Sequence, residues 1–219
     1  VVSFSLSPPL GNQLSYGVNV PSQLNKSRLI QKFQLQLTVD YDHEALKRVA
    51  HLNQHSLRKA SVLIGFVERE QGLSIIFTKR AKHLRHHPGQ ISFPGGKHES
   101  DDLDLSDTAL RETYEEIGIE REKISIFGQM PELTTISQFT VTPFLAFISP
   151  DYHPQIDSNE VDEIFEIPAR IIFDQHQLHS QRFQINNLSH QIFGLSYQKH
   201  FIWGMTAQII YAMQKHIMH

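Results

Sequence analysis

Residues 111–119 read RETYEEIGI, and three glutamates set this close together limit what the segment can be. Like charges at i and i+4 repel and destabilise an isolated helix, so Glu112 and Glu116, one turn apart, need a reason. At about 100° per residue, Thr113, Tyr114 and Ile117 gather with Leu110 on one face. Glu112, Glu115 and Glu116 fall on the opposite one. Ser106 or Asp107 suits the N-cap, and Gly118 suits the position just past the end. The expectation is a helix over LSDTALRETYEEIG that buries an apolar stripe and projects three carboxylates, with Arg111 in reach of Glu115. A solvated acidic face is the simplest alternative. Two features weigh against it. The helix follows an FPGG turn that surface decoration does not require, and hard divalent cations such as Mg²⁺ take oxygen ligands. A cation would relieve the repulsion.

Around this helix, strands and helices mix without strict alternation, which favours a mixed sheet flanked by helices over a doubly wound parallel one. ASVLIGFVE and LSIIFTKR are β-rich runs joined by REQG, a hairpin pattern. ISFPGG contributes a short strand, and KHESDDLDLSD is an acidic loop. ISIFGQM and FTVTPFLAFI read as further strands. VDEIFEIPARIIF reads as a short helical segment or loop, and RFQINN with HQIFGLSY as a last hairpin. FIWGMTAQIIYAMQKHIM reads as a C-terminal helix in which Trp203 packs. DYDHEALKRVAHLN carries Leu46, Val49, Ala50 and Leu52 near helical spacing behind an Asp cap. Residues 1–27, rich in Ser, Asn, Gln, Pro and Gly, read as a loosely held extension, leaving one domain over 28–219.

Formal net charge is −3, so any anion site must be a local cluster and no global field draws the chain to nucleic acid or membrane. Cysteine is absent, which removes disulfides, thiol nucleophiles and thiolate metal sites. No apolar run reaches the ~20 residues of a membrane span, and VVSFSLSPPLGNQ lacks the features of a secretory signal. A soluble cytoplasmic protein is expected.

The segment from Gly96 to Ile119 resembles the Nudix box, G-x5-E-x7-R-E-U-x-E-E-x-G-U with U apolar. Gly96, Arg111, Glu112, Glu115, Glu116, Gly118 and Ile119 match. Asp102 stands in place of the first Glu, residues 97–110 are one longer than the pattern, and Thr113 is a weak match to the first U. Upstream, FTKRAKHLRHHPGQISFPGG is similar to the signature preceding the box in coenzyme A pyrophosphatases. Thr78, Arg80, Ala81, Arg85, Gly89, Gln90, Phe93, Pro94, Gly95 and Gly96 are in register with it. The resemblance spans about residues 40 to 217.

It implies an α/β Nudix fold, a mixed β-sheet sandwiched between helices. It also implies hydrolysis of the diphosphate of coenzyme A or its derivatives, dependent on Mg²⁺ or Mn²⁺. Glu112 and Glu116 would be the principal metal ligands, and Glu115 a further ligand or a polariser of water. Arg111 would orient the carboxylates. Arg80 and Arg85, with Gly95 and Gly96, would hold the substrate. Two alternatives stand beside this: a Nudix hydrolase of NADH or ADP-ribose, and a non-catalytic nucleotide-binding module.

The basic run Lys79, Arg80, Lys82, His83, Arg85, His86 and His87 suits phosphate, with Arg supplying forked donors. Its aromatics are not interleaved with its basic residues, so nucleic acid is not expected as a partner. HLRHH lacks the cysteines and the paired histidines of a zinc site. Glu132, Glu160 and Glu163, along with Glu115, remain open as the general base. The sequence leaves the oligomeric state open.

Overall fold

The computed structural model describes residues 24–36, 41–42, 46–47, 49–50, 52, 56–185 and 188–218. Its centre is set by an apolar run with no alternation. Strand β1 (Arg58–Arg69) is buried on both faces over eight consecutive residues, the mark of a strand covered by structure on each side. It hairpins into β2 (Gly72–Arg80). Strands β3 (Ile91–Ser92) and β4 (Gly95–Lys97) follow, pairing with β2 and β1 respectively. Beyond the main helix come β5 (Ile124–Gln129), β6 (Leu133–Thr134) and β7 (Phe139–Ile148). Strand β7 lies parallel to β1, while the other pairings are antiparallel. The sheet is mixed.

Helix α1 (Lys26–Leu35) opens the described chain, capped by Asn25; it straddles the expected boundary at residue 28. Helix α2 (Leu105–Ile117) covers one face of the sheet, where Ala109 and Ile117 pack on Leu63, Val67, Ile76, Phe144 and Ala146. The other face is larger. It is covered by α1, by the terminal helix α4 (Gly204–Met218), and by a small antiparallel sheet of β9 (Leu178–Ile185), β10 (Leu188–Tyr197) and β11 (His200–Trp203).

Four sequence expectations are corrected. VDEIFEIP is strand β8 (Val161–Pro168), paired with β2, and only Ala169–Ile172 turns helical, as α3. Phe165 stacks on Phe77 there, so the edge of β2 gives these residues a pairing that their local pattern does not reveal. The terminal helix begins at Gly204, because His200–Trp203 pairs with β10 as a strand. The N-cap of α2 is Asp104, whose carboxylate accepts from the Ser106 and Asp107 N–H groups at 2.8 and 2.9 Å. Finally, the buried stripe of α2 runs through Ala109, Thr113, Glu116 and Ile117, while Tyr114 is exposed. Small side chains let the helix sit close to the sheet, and this turns Glu116 inward. In residues 40–53, Leu46, Lys47 and Val49 are helical, and the remainder of that expected helix, with its Asp40 cap, lies outside the described residues.

Candidate active site

Gly118 ends α2 in the left-handed region (φ 67°), its N–H donating to Tyr114 O at 2.7 Å. The last turn of the helix is thereby held over the β3–β4 turn, FPGG. In that turn Gly95 has φ 153°, and its N–H lies 3.4 Å from Glu116 Oε2. A side chain at Gly96 would overlap the whole carboxylate of Glu112. The two glycines therefore let backbone approach the two glutamates, which are the most enclosed acids of the helix: Glu116 is 2% exposed and Glu112 14%.

Enclosure has an electrostatic consequence. Burial raises the proton affinity of Glu116, pushing it up to about 8; Arg80 opposes this and the Glu112 charge adds to it. Glu112 is raised as well, first by burial, with Arg111 opposing and Glu115 and Glu160 adding to it. Acids that are both desolvated and mutually repelling are costly to ionise without a cation. Arg80 Nη1 stands 3.9 Å from Glu116 Oε1.

Glu115 is placed differently. It is largely exposed and held by Arg111 Nη1 at 2.8 Å. Arg111 is a hub. It donates to Glu112 at 3.1 Å, to Lys97 O at 2.9 Å, and through Nε and Nη2 to both oxygens of Asp102 at 2.7 and 3.0 Å. Asp102 also accepts from Glu99 N and Thr108 Oγ1, each at 2.8 Å. The Arg111 guanidinium holds the Asp102 carboxyl well below the usual range, against the effect of its burial. The residue that departs from the box pattern thus fixes the arginine from behind. Its position in the box was the only sequence signal for this; Thr108 and the Lys97 carbonyl gave none.

Of the other candidate acids, Glu160 directly precedes β8, and its charge acts on both Glu112 and Glu116. Its carbonyl accepts from Ala81 N at 2.8 Å, which joins its segment to the end of β2. Glu163 is occupied by Lys199 at 2.9 Å and His200 at 3.2 Å. Glu132 faces Thr142 Oγ1 at 3.4 Å. Arg85 is exposed on the loop beyond Arg80, and among the described residues no hydrogen bond or ion pair joins it to these acids.

Among the described residues, no three His, Cys, Asp or Glu side chains converge as a metal-binding group, and Glu115 is turned onto Arg111. Glu112 and Glu116 nonetheless fit a divalent cation. They are two oxygen donors, one turn apart on a rigid element, held together against their own repulsion.

A family model described as the NUDIX domain matches residues 57–188, more than half of the chain. This chain belongs to the Nudix family. A protein of Enterobacter sp. (strain 638) named "Uncharacterized Nudix hydrolase NudL" is 41% identical over 153 residues, covering 70% of this chain and 79% of that one. One of the same name from Salmonella newport (strain SL254) is 34% identical over 189 residues, covering 86% and 93%. Among solved structures, an Ap4A hydrolase of C. elegans is 20% identical, with a TM-score of 0.43, over 50% of this chain and 79% of that one. The NUDIX domain of Shewanella oneidensis NrtR, complexed with ADP ribose, is 17% identical, with a TM-score of 0.41, over 56% and 82%. The chain is a Nudix hydrolase, an enzyme that cleaves pyrophosphate bonds in nucleoside diphosphate derivatives. Nudix hydrolases generally use divalent metal ions.

Proposed function

We propose that this hydrolase cleaves the diphosphate of coenzyme A or its derivatives, giving 4'-phosphopantetheine and adenosine 3',5'-bisphosphate, with Mg²⁺ or Mn²⁺ as its cation. The observation that carries the reading is the meeting of two motifs. The run from Phe77 to Gly96, which resembles the coenzyme A pyrophosphatase signature, contributes Arg80 and the Gly95–Gly96 turn to the carboxylates of the box. Glu112 and Glu116 would hold the cation, with Glu115 able to join them on leaving Arg111. The cation, when bound, neutralises phosphate oxygens and lowers the pKa of water.

The chain's own groups do the rest. Arg80, beside Glu116, offers forked donors to a phosphate oxygen. Arg111, pinned by Asp102, keeps Glu112 in place. Glu160, whose charge acts on both glutamates, would take the proton of the attacking water. That water's oxygen bonds to one phosphorus as the bridging P–O bond breaks, and the bridging oxygen leaves with the other phosphate in an in-line displacement. The substrate is a small-molecule nucleotide, acted on in the cytoplasm; no described helix is long and apolar enough to cross a membrane.

The test is a panel of coenzyme A, dephospho-coenzyme A, NADH and ADP-ribose with Mg²⁺ or Mn²⁺, with the products identified. Coenzyme A should have the highest kcat/KM, roughly tenfold over its dephospho form, as expected if a charge-assisted contact reads the 3'-phosphate. Faster turnover of ADP-ribose or NADH overturns the coenzyme A assignment. Turnover of none of the four overturns both the coenzyme A reading and its NADH or ADP-ribose alternative.

A further inference from the structure

Strand β11 alternates cleanly. His200 and Ile202 are buried, while Phe201 and Trp203 are 51% and 46% exposed. Trp203 is the only tryptophan in the chain. Its register partner on β10 is Gly194, so no side chain from that partner covers the indole. Phe201 leans across the gap, its Cζ 2.8 Å from where a Gly194 side chain would begin. The result is an aromatic ledge of two half-exposed rings.

The corner that follows the ledge meets the neck of the basic loop. Directly after Trp203, Gly204 faces Gln90, whose Nε2 is 3.3 Å from the position of a side chain there. Gln90 closes the neck of the basic loop: its carbonyl accepts from Arg80 N at 2.9 Å, and Arg80 O accepts from Gly89 N at 3.1 Å. Thr206 Oγ1 donates to Ile91 O at 3.0 Å, fixing the same corner to the strand that leads into Gly95 and Gly96. The loop's Lys82 and Arg85 are exposed and make no ion pair among the described residues. His83 is bonded to Asn159 O at 3.0 Å, which holds the loop against the segment that carries Glu160.

We propose that Trp203 is a specificity-determining residue that stacks the nucleobase of the substrate's adenine-nucleotide half, while Lys82 and Arg85 take a phosphate of that half. This rests on the hydrolase reading above. A nucleobase offers a flat π-face to a half-exposed indole, and its phosphates complement the cations of the loop whose neck adjoins Gly204. An apolar partner would match the ring but leave the cations unanswered.

Because Trp203 is the sole tryptophan, intrinsic fluorescence reads this surface directly. The full chain, in EDTA so that nothing turns over, is titrated with adenosine 3',5'-bisphosphate, 4'-phosphopantetheine and inorganic pyrophosphate. Saturable quenching is expected with the first alone. In steady state, Trp203→Leu should raise KM for the hydrolysed substrate about tenfold with kcat within about twofold, and Trp203→Phe should restore most of it. Base–aromatic stacking is worth about 1–3 kcal/mol, which spans that factor. The inference is overturned by no quenching with the nucleotide, by equal quenching with pyrophosphate, by an unchanged KM in Trp203→Leu, or by quenching that tracks protein concentration as a second copy covers the ledge. If coenzyme A is hydrolysed and Trp203→Leu changes nothing, stacking falls and the coenzyme A reading stands. If ADP-ribose is the substrate and its KM rises in Trp203→Leu, the reverse holds.

Discussion

Arg80 Nη1 lies 3.9 Å from Glu116 Oε1, a cation set beside the most buried carboxylate of the helix. This pair joins the basic run to the acidic helix, since Arg80 is the last residue of β2 and Glu116 sits in the last turn of α2. Without a bound cation, Arg80 offsets only part of the cost of enclosing Glu116, so that glutamate is where metal binding should be felt most. Glu116→Gln keeps shape and removes the charge. We expect turnover to fall about 10²- to 10³-fold, the scale of a lost charge-stabilising group. Thermal melts supply the second readout: Mn²⁺ should raise Tm of the wild type and shift the variant far less. A variant with near wild-type rate at saturating Mg²⁺ removes Glu116 from the site.

Gly95 and Gly96 should fail in different ways. Alanine at Gly96 would displace the Glu112 carboxylate, and a misplacement near 1 Å costs about 10²-fold in rate, so kcat should drop with little change in Tm. Alanine at Gly95 meets backbone, the Ser61 carbonyl and Val62 Cα, at a φ of 153°. It should cost about 1–3 kcal/mol of stability or more. Kinetics and melts on the two variants separate these outcomes, and identical behaviour would contradict the geometry.

Asp102→Ala should cost both stability and rate. Asp102 is 2% exposed and takes two bonds from Arg111, and breaking such a pair from one side costs about 3 kcal/mol or more. Arg111, released, no longer holds Glu112 in place. Denaturant melts should show the loss, and kcat should fall while KM changes little. Asp102→Glu, the residue of the usual box, tests whether the longer acid fits the lengthened loop.

How far this site was legible in the sequence differs residue by residue. The Nudix fold was readable through the resemblance of Gly96–Ile119 to the box, and the helix itself through Arg111, Glu112, Gly118 and Ile119, which sit at spacings that one helix and its cap dictate. The direction of Glu116 was not. A wheel centred on Leu110 assumes that large apolar residues mark the buried face, but Tyr114 is exposed and Thr113 buried, since close approach to β1 selects small side chains. Strand β8 was missed for a related reason. Its residues gain order from pairing with β2, a contact distant in sequence.

The Arg69–Glu166–Tyr152 cluster, away from the carboxylate pair, predicts a pH dependence of stability. Burial works to raise Glu166, but the bonds from Arg69 at 2.6 and 3.0 Å and from the Tyr152 hydroxyl at 2.7 Å outweigh it and lower its pKa. A carboxyl lowered in the folded state adds stability above its unfolded value of about 4.3, and that stability is lost as pH falls through the folded value. Glu166→Gln should therefore lower Tm at pH 7 and narrow the drop in Tm between pH 6 and pH 3. An equal drop in both proteins would show that Glu166 does not contribute to acid sensitivity.

The general base is the last question the geometry narrows. Glu163 is held by Lys199 and His200, and the Lys199 bond leads in keeping it ionised, below its ordinary pKa. A weakly basic carboxylate with two partners is poorly suited to accept a proton. Glu132 borders Thr142, whose hydroxyl donates to it at 3.4 Å. Glu160 is exposed, acts on both acids, and is anchored through its backbone to the residue after Arg80. If it takes the proton of the attacking water, Glu160→Gln should lower kcat about 10²-fold or more and leave KM near its wild-type value. Glu163→Gln should instead lower Tm modestly, through the loss of its two partners, with kcat nearly intact. Glu132→Gln should retain turnover. Should Glu160→Gln keep the wild-type rate while Glu115→Gln abolishes it, the base is Glu115, released from Arg111 when the cation binds.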